Sequence, residues 1–133
     1  MIVVDTNVIA YLLIPGDFTV WASAALRKDG GWVAPLLWRS EFRNVLTLYI
    51  RQGHLTFSLA QQMMQEAESL MLGGEYMVPS SLVFSLVEQS KCSAYDCEFV
   101  ALAQDMDVPF VTSDARILEA FPSTAVSLET FAG

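Results

Sequence analysis

Residues 1–14 read MIVVDTNVIAYLLI, and this stretch decides the fold class. Ile2–Val4 is a short apolar run without alternation, which is typical of a strand buried on both faces of a parallel sheet. Asp5 ends the run, and Val8–Ile14 then predicts a helix that stops at Pro15 and Gly16. A buried strand that leads directly into a helix indicates an alternating α/β chain.

The rest of the chain repeats this alternation. Further short strands are predicted at Trp32–Ala34, Tyr76–Val78, Pro109–Thr112 and Ala125–Leu128. Helices are predicted at Phe18–Lys28, Leu37–Gln52, Thr56–Leu72, Leu82–Gln89, Ser93–Met106 and Ala115–Ala120. The pattern predicts an α/β fold with a mostly parallel sheet of about five short strands, covered by helices on both faces.

The composition suits one domain with a substantial core, since 53% of the 133 residues are hydrophobic. No linker, low-complexity tract or internal repeat divides residues 1–133, so we expect a single domain. The first basic residue is Arg27, and Asp5 and Asn7 interrupt the N-terminal apolar run. That run fits neither a secretory signal nor a spanning helix, so we expect a soluble, cytoplasmic protein without membrane contact.

Cysteine and histidine chemistry is not indicated. Cys92 and Cys97 are the only cysteines and lack CxxC spacing, and His54 is the only histidine. The sequence therefore predicts neither a disulfide framework nor a zinc site, and the two thiols are expected to be buried or half-buried.

Two acidic residues follow predicted strands. Asp5 ends the first strand, and Asp114 lies just beyond the strand at Pro109–Thr112. In open parallel sheets, ligands bind beyond the carboxyl ends of the strands, where the strand order reverses. We expect these two carboxylates to converge there, although either one alone is equally typical of a turn.

Glu41 and Asp96 lie at helix starts and have local explanations as well. Glu41 borders the apolar stripe of its helix, where a Glu is either a solvated edge residue or a ligand that points into a cleft. Asp96 occupies the fourth position of a capping box that begins at Ser93. The two roles of Asp96 are compatible, because a carboxylate in the first turn can face a metal on its free side.

Four converging carboxylates have a specific chemical use. Mg²⁺ and Mn²⁺ prefer oxygen ligands, and one or two such ions activate water and stabilise the leaving oxygen in phosphodiester hydrolysis. The chain contains no GxSxG elbow, no phosphate-binding P-loop and no HExxH motif. The acids therefore predict metal-dependent hydrolysis without a protein nucleophile.

Four segments, in order, resemble the acidic motifs of PIN domains, and in particular those of the VapC toxins of toxin–antitoxin pairs. They are VVDTNVI at 3–9, SEFRNVL at 40–46, YDCEFVALA at 95–103 and FVTSDARIL at 110–118. The resemblance implies a Rossmann-like three-layer α/β/α sandwich and a Mg²⁺- or Mn²⁺-dependent endoribonuclease. It also implies a homodimer and a cognate antitoxin.

Matched residue by residue, the resemblance assigns the catalytic and metal-binding acids to Asp5, Glu41, Asp96 and Asp114. Asn7 and Thr112 match polar residues that support the site by hydrogen bonding. Arg116 stands where some relatives carry a further acid.

The charge limits how RNA is held. The net charge is −8, from 15 acidic and 7 basic residues, which argues against a general nucleic-acid coat protein. RNA contact must come from a local patch, for which Arg39, Arg43 and Arg116 are candidates, although each of them singly is equally typical of a solvated charge or of an internal partner for the acids. The acidic balance also makes a basic protein partner plausible. A Met-rich helix at Leu59–Leu72, with Met63, Met64 and Met71, suggests a dimer surface, although such a stripe is more often core.

Other functions fit less well. A phosphoacceptor receiver domain needs an acidic pair at the first strand end and a late Lys, but this chain has Asp5 alone and no Lys after Lys91. An aspartyl phosphatase needs a second Asp where Asn7 lies. The remaining alternative is a PIN-like fold that serves as a non-enzymatic acidic interaction module.

Overall fold

The computed structural model describes residues 1–133, and helices follow most of the strands. The strands are β1 (Ile2–Val4), β2 (Trp32–Pro35), β3 (Glu75–Tyr76), β4 (Phe110–Thr112) and β5 (Ala125–Ser127). The helices are α1 (Thr6–Leu13), α2 (Thr19–Lys28), α3 (Leu37–Arg51), α4 (Phe57–Leu70), α5 (Ser80–Gln89), α6 (Ala94–Met106), α7 (Ala115–Ala120) and α8 (Leu128–Ala132).

The five strands form one parallel sheet in the order β3-β2-β1-β4-β5. β1 lies at the centre, where Val3 is in register with Val33 of β2 and with Phe110 of β4. The chain builds outwards from β1 through β2 to β3, and then crosses to β4 and β5 on the other side. The strand order therefore reverses between β1 and β4, which creates a crevice at their carboxyl ends.

Apolar residues cover both faces of the sheet, as the absence of alternation predicts. Every residue of β1, β2 and β4 is buried. α6 packs against β1, β2 and β4, while α1 packs against α2, α3 and α4. One cluster of 32 buried apolar residues forms the core, with Trp38, Phe42 and Phe110 among its largest side chains. The predicted α/β class and its parallel sheet are confirmed.

Two element predictions need correction. The third strand is Glu75–Tyr76 and not Tyr76–Val78, because the short pairing with β2 joins Ala34 to Glu75 and Pro35 to Tyr76. The C-terminal helix α8 was not predicted. It begins where the Ser127 hydroxyl accepts the Thr130 N–H at 3.1 Å, and its Leu128 side chain is buried.

Gly74 has a backbone role beside β2. A Cβ at this position would clash with the carbonyl oxygen of Trp32, so no larger residue fits without moving the backbone. The Gly74 carbonyl accepts the N–H of Ala34 at 2.8 Å. This close approach fixes the start of β3 beside β2.

The two thiols, Cys92 and Cys97, are free and buried. None of the eight helices combines the length and the apolar character of a membrane-crossing segment.

Candidate active site

The crevice between β1 and β4 contains Asp5 and Asp114. Asp5 directly follows β1, and its N–H donates to the Val111 carbonyl of β4 at 3.0 Å. Asp114 lies two residues beyond β4 and is the N-cap of α7. The topology thus brings two carboxylates from distant parts of the sequence to one edge of the sheet.

All four predicted acids line one cleft of about 240 Å³ at this edge. They come from four different places in the fold: the end of β1, the second turn of α3, the first turn of α6, and the N-cap of α7. The lining residues are Asp5, Thr6, Asn7, Glu41, Asn44, Val45, Asp96 and Asp114. Seven of these eight are polar, so the cleft suits a charged or strongly hydrated ligand.

Thr112 links the two acids at the strand ends. Its hydroxyl donates to Asp5 Oδ2 at 2.6 Å and accepts the N–H of Asp114 at 3.1 Å. Because Thr112 is fully buried, its hydroxyl is held in place between the two residues. Burial raises the pKa of Asp5. The Thr112 hydrogen bond and the backbone N–H groups of Asn7 and Thr6 oppose that rise, while the charge of Asp96 adds to it.

Glu41 is oriented in the same way by Thr6. The buried Thr6 hydroxyl donates to Glu41 Oε1 at 2.7 Å. Burial raises the pKa of Glu41, the Thr6 hydrogen bond opposes the rise, and the charges of Asp5, Asp96 and Glu98 reinforce it. The negative charges of the cleft therefore act on one another.

Asp96 keeps its carboxylate free of hydrogen bonds while its backbone N–H donates to the N-cap residue of α6. The Ser93 hydroxyl accepts the Asp96 N–H at 3.1 Å, which is one half of the predicted capping box. The reciprocal bond from the Ser93 N–H to the Asp96 carboxylate does not form, and Asp96 lines the cleft instead.

Asp114 is bound to its own helix. Its Oδ1 accepts the N–H groups of Arg116 at 2.9 Å and Ile117 at 3.1 Å. The turn role and the cleft role of Asp114 therefore coexist in one side chain.

No cation of the chain neutralises the cleft. The ion pairs involve only the N-terminus with Asp29, and Arg39 with Glu68 and Glu75. In this conformation no three His, Cys, Asp or Glu side chains are grouped tightly enough to hold one metal ion. Asp5, Glu41 and Asp114 each accept a hydrogen bond from another group of the protein.

Comparison with known proteins gives the family. The PIN-domain model matches residues 2–122. This chain belongs to the PIN-domain family. The family predicted from the four motifs is therefore confirmed. PIN domains are generally nucleases, and the family includes the VapC toxins.

Two solved structures have the same fold. The crystal structure of PAE2754 from Pyrobaculum aerophilum is similar with a TM-score of 0.77 at 18% identity, over 98% of this chain and 92% of that chain. The crystal structure of FitAcB from Neisseria gonorrhoeae is also similar, with a TM-score of 0.77 at 18% identity, over 97% of this chain and 99% of that chain. No curated protein sequence matches this chain significantly.

The donor set of this PIN domain fits a hard divalent cation. Nucleases of the family typically use divalent metals. The cleft offers carboxylate, hydroxyl and amide oxygens and neither Cys nor His, a set that suits Mg²⁺ or Mn²⁺ and not zinc.

Three residues of the site were not singled out from the sequence. Thr6 and Asn44 line the cleft, and the charge of Glu98 reaches Glu41. A signal existed for Asn44, which lies three residues after Glu41 and so shares its helix face. Asn7 lines the cleft as well, and the contact that it makes to Asp5 comes from its backbone N–H.

The three candidate RNA-binding arginines differ in their surroundings. Arg39 is held by Glu68 and Glu75 and also lies over the Trp38 ring, so it serves as an internal partner and not as a free cation. Arg43 is exposed, and its Nε donates to the Arg39 carbonyl at 3.1 Å. Arg116 is exposed in the first turn of α7, beside Asp114.

Proposed function

We propose that this PIN domain is a Mg²⁺- or Mn²⁺-dependent endoribonuclease and the toxin of a toxin–antitoxin pair. One observation carries the proposal: four acids from four separate elements line one polar cleft, and no cation of the chain pairs with any of them. Gathering like charges in a partly buried site costs stability. Such a cost is expected where the site must hold a ligand of opposite charge.

The side chains of Asp5, Glu41, Asp96 and Asp114 would hold the metal. When bound, a divalent ion supplies an activated water and neutralises charge on the scissile phosphate and the leaving oxygen. Thr112 fixes the orientation of Asp5, and Thr6 fixes that of Glu41. Both hydroxyls already donate to these carboxylates, and no Ser, Cys or His lines the cleft, so the cleft offers no free hydroxyl, thiol or imidazole as a nucleophile.

The substrate-positioning cations in this proposal are Arg43 and Arg116. Both are exposed, and neither takes part in an ion pair within the chain. Arg39 is left out, because its guanidinium is already shared between two carboxylates. Contacts of this kind grip phosphates and place the strand without reading its sequence.

The proposed partners are a cognate antitoxin and a second copy of the chain. A segment with Arg or Lys side chains suits the uncompensated acids of the cleft. The Met face of α4 is largely used inside the molecule, since Met71 is fully buried and Met63 and Met64 pack half-buried against the core. We therefore propose that the exposed apolar residues Leu59 and Leu72 form part of the homodimer interface.

A non-enzymatic PIN-like interaction module remains the second candidate. The observation in its favour is that no three acids are grouped for a metal in this conformation. An acidic cleft can also receive a basic protein segment without any catalysis.

Cleavage of a mixed RNA substrate separates the two functions. The purified protein should cleave RNA with Mg²⁺ or Mn²⁺ and stop when EDTA is added, and an Asp96→Asn preparation made in the same way should be inactive. RNA left intact at every metal concentration contradicts the enzyme and leaves the interaction module. Equal cleavage by the parent and Asp96→Asn points to a contaminating nuclease.

A further inference from the structure

A second pocket, of about 320 Å³, adjoins the acidic cleft. It shares Asn7 and Val45 with the cleft, and three aromatic side chains, Tyr11, Phe18 and Tyr49, line it. We propose that this aromatic pocket binds one nucleobase of the RNA strand whose phosphate lies in the acidic cleft. The inference rests on the proposed ribonuclease function and adds the site that reads or stacks the neighbouring base.

The two helices that border the cleft also build the pocket. On α1, Asn7 and Tyr11 are four residues apart, and on α3 the same spacing relates Glu41, Val45 and Tyr49. Residues four apart share a helix face and lie about 6 Å apart along the axis. Aromatic rings thus follow the polar groups of the cleft, at Tyr11 one turn beyond Asn7 on α1 and at Tyr49 two turns beyond Glu41 on α3.

Other side chains keep the rings in place. The Phe18 ring lies 4.9 Å from that of Tyr11 and 5.5 Å from that of Trp21, measured between centroids. The Thr19 hydroxyl accepts the Gly16 N–H at 3.0 Å and donates to the Tyr11 carbonyl at 2.6 Å, which holds the loop between α1 and α2 against α1. Phe18 is 43% exposed, so part of this ordered ring is open to a ligand.

The charge balance favours stacking as a source of affinity. The chain carries −8 and has only seven Lys and Arg residues. Arg39 is occupied by Glu68 and Glu75, and Lys28 is occupied by the carbonyl and ring of Phe131. Base stacking on aromatic side chains needs no positive charge and tolerates any base, because every base has a π-face. A base with flat apolar faces and polar edges matches aromatic walls that end at the Asn7 amide.

The test combines ring removal with base removal. The substrate is an oligoribonucleotide that the parent cleaves with Mn²⁺, together with versions that carry an abasic site at each position next to the scissile bond. Phe18→Leu and Tyr49→Leu remove a ring and keep apolar volume, whereas Phe18→Tyr and Tyr49→Phe keep the ring. Phe84→Leu is the matched control, since Phe84 is 66% exposed on α5 and lines neither the pocket nor the cleft.

On intact RNA, each ring-removing variant should lose about tenfold in kcat/KM, within the range for loss of one stacked base. The kcat/KM of the parent should fall by about the same factor when one abasic substrate replaces intact RNA. On that abasic substrate, the kcat/KM of the ring-removing variants should be close to that of the parent. The ring-keeping variants should recover most of the activity that the ring-removing variants lose, and Phe84→Leu should behave like the parent. This non-additivity is specific to a ring–base contact, because a merely structural defect would add to the loss from the abasic site.

Three results would overturn the inference. Ring-removing variants that cleave intact RNA like the parent, or losses that add on every abasic substrate, remove the base-binding role and leave the nuclease. Normal cleavage by variants that no longer co-purify with a protein partner assigns the pocket to that partner. Absence of metal-dependent cleavage in the parent itself contradicts the proposed function, and the base pocket with it.

Discussion

Two groups of carboxylates in this protein have opposite electrostatic surroundings. Around Arg39, the carboxylates of Glu68 and Glu75 accept hydrogen bonds from one guanidinium, and Arg39 lowers the pKa of Glu75. In the cleft, the hydroxyls and backbone N–H groups that reach Asp5 and Glu41 are all neutral donors, and burial raises the pKa of both acids. The same chain therefore gives one group a cationic partner and leaves the other without one.

The difference shows how structural and functional acids can be told apart. An acid that stabilises the fold is given a partner, as Glu75 is, because an unpaired buried charge costs free energy. An acid that must bind an external cation cannot be given an internal one. The missing partner in the cleft is thus better evidence for a metal site than the acids themselves.

The largest expected effect is on catalysis, and it should be confined to the cleft. Asp5→Asn should lower the rate of RNA cleavage at least ~100-fold, the scale for removing one positioned charge from an active site. Glu75→Gln removes a charge of the same sign outside the cleft and should cleave at close to the parent rate. The measurement is the cleavage rate of both variants on one RNA with Mn²⁺. Similar losses of rate in both variants would contradict a functional difference between the two groups of carboxylates.

The next effect is on stability, and it should be confined to the Arg39 group. The buried Trp38 indole N–H donates to Glu75 Oε1 at 2.8 Å. Glu75→Ala leaves that donor without a partner and should lower the free energy of unfolding by about 1–3 kcal/mol. Glu75→Gln keeps an acceptor oxygen and should lose less. Urea unfolding in EDTA measures both, and equal losses would mean that the charge matters and the indole hydrogen bond does not.

A smaller effect concerns the arginines. Arg43→Ala and Arg116→Ala should each weaken RNA binding and reduce the slope of log affinity against log salt by about 1 for each phosphate that the variant no longer binds. Arg39→Ala should change stability and leave the slope unchanged, because Arg39 is already paired. Binding is measured in the inactive Asp96→Asn background. A reduced slope for Arg39→Ala alone would reverse the assignment.

The smallest effect is a gain of stability when one cleft charge is removed. In EDTA, Asp5→Asn should melt at a higher temperature than the parent, since the Asp5 carboxylate is half-buried and the negative charge of Asp96 acts on it. The raised pKa of Asp5 gives the pH dependence. While Asp5 is protonated, the parent does not bear the cost of a half-buried carboxylate charge. The parent loses this stability as the pH rises above 3.8, the usual pKa of Asp, and passes through the raised pKa of Asp5 in the folded protein.

The melting difference between Asp5→Asn and the parent should therefore widen with pH. Thermal melts of both proteins between pH 4 and 8 measure this difference in melting temperature directly. An Asp5→Asn protein that melts lower at every pH would make Asp5 a structural turn residue.

Much of the fold follows from the sequence because the local signals agree with the packing. β1, β2 and β4 are fully buried apolar runs, and α3 carries a strong apolar stripe. β3 and α8 are short, with two and five residues, and their positions depend on contacts with distant segments. Sequence periodicity over so few residues does not define an element.

The candidate site divides in the same way. The positions of Asp5 and Asp114 follow from strand ends in a parallel sheet, and the four-motif resemblance selected Glu41 and Asp96 as well. The sequence left an internal-partner role open for Arg39, but it could not identify the partners, because Glu68 and Glu75 lie 29 and 36 residues away. The hydrogen bond from Thr112 to Asp5 spans 107 residues and is likewise invisible in the sequence.

Metal titration of the folded protein is the most direct test of whether the four acids form one divalent-cation site. Thermal melts are recorded for the parent, Asp5→Asn and Glu75→Gln as Mg²⁺ or Mn²⁺ is added after EDTA removal. A ligand at ten times its Kd that binds only the native state adds about 1.4 kcal/mol of stability. We expect this gain for the parent and for Glu75→Gln, and a much smaller gain for Asp5→Asn. If neither metal shifts the parent, or if Asp5→Asn gains as much as the parent, the four acids do not form one metal site.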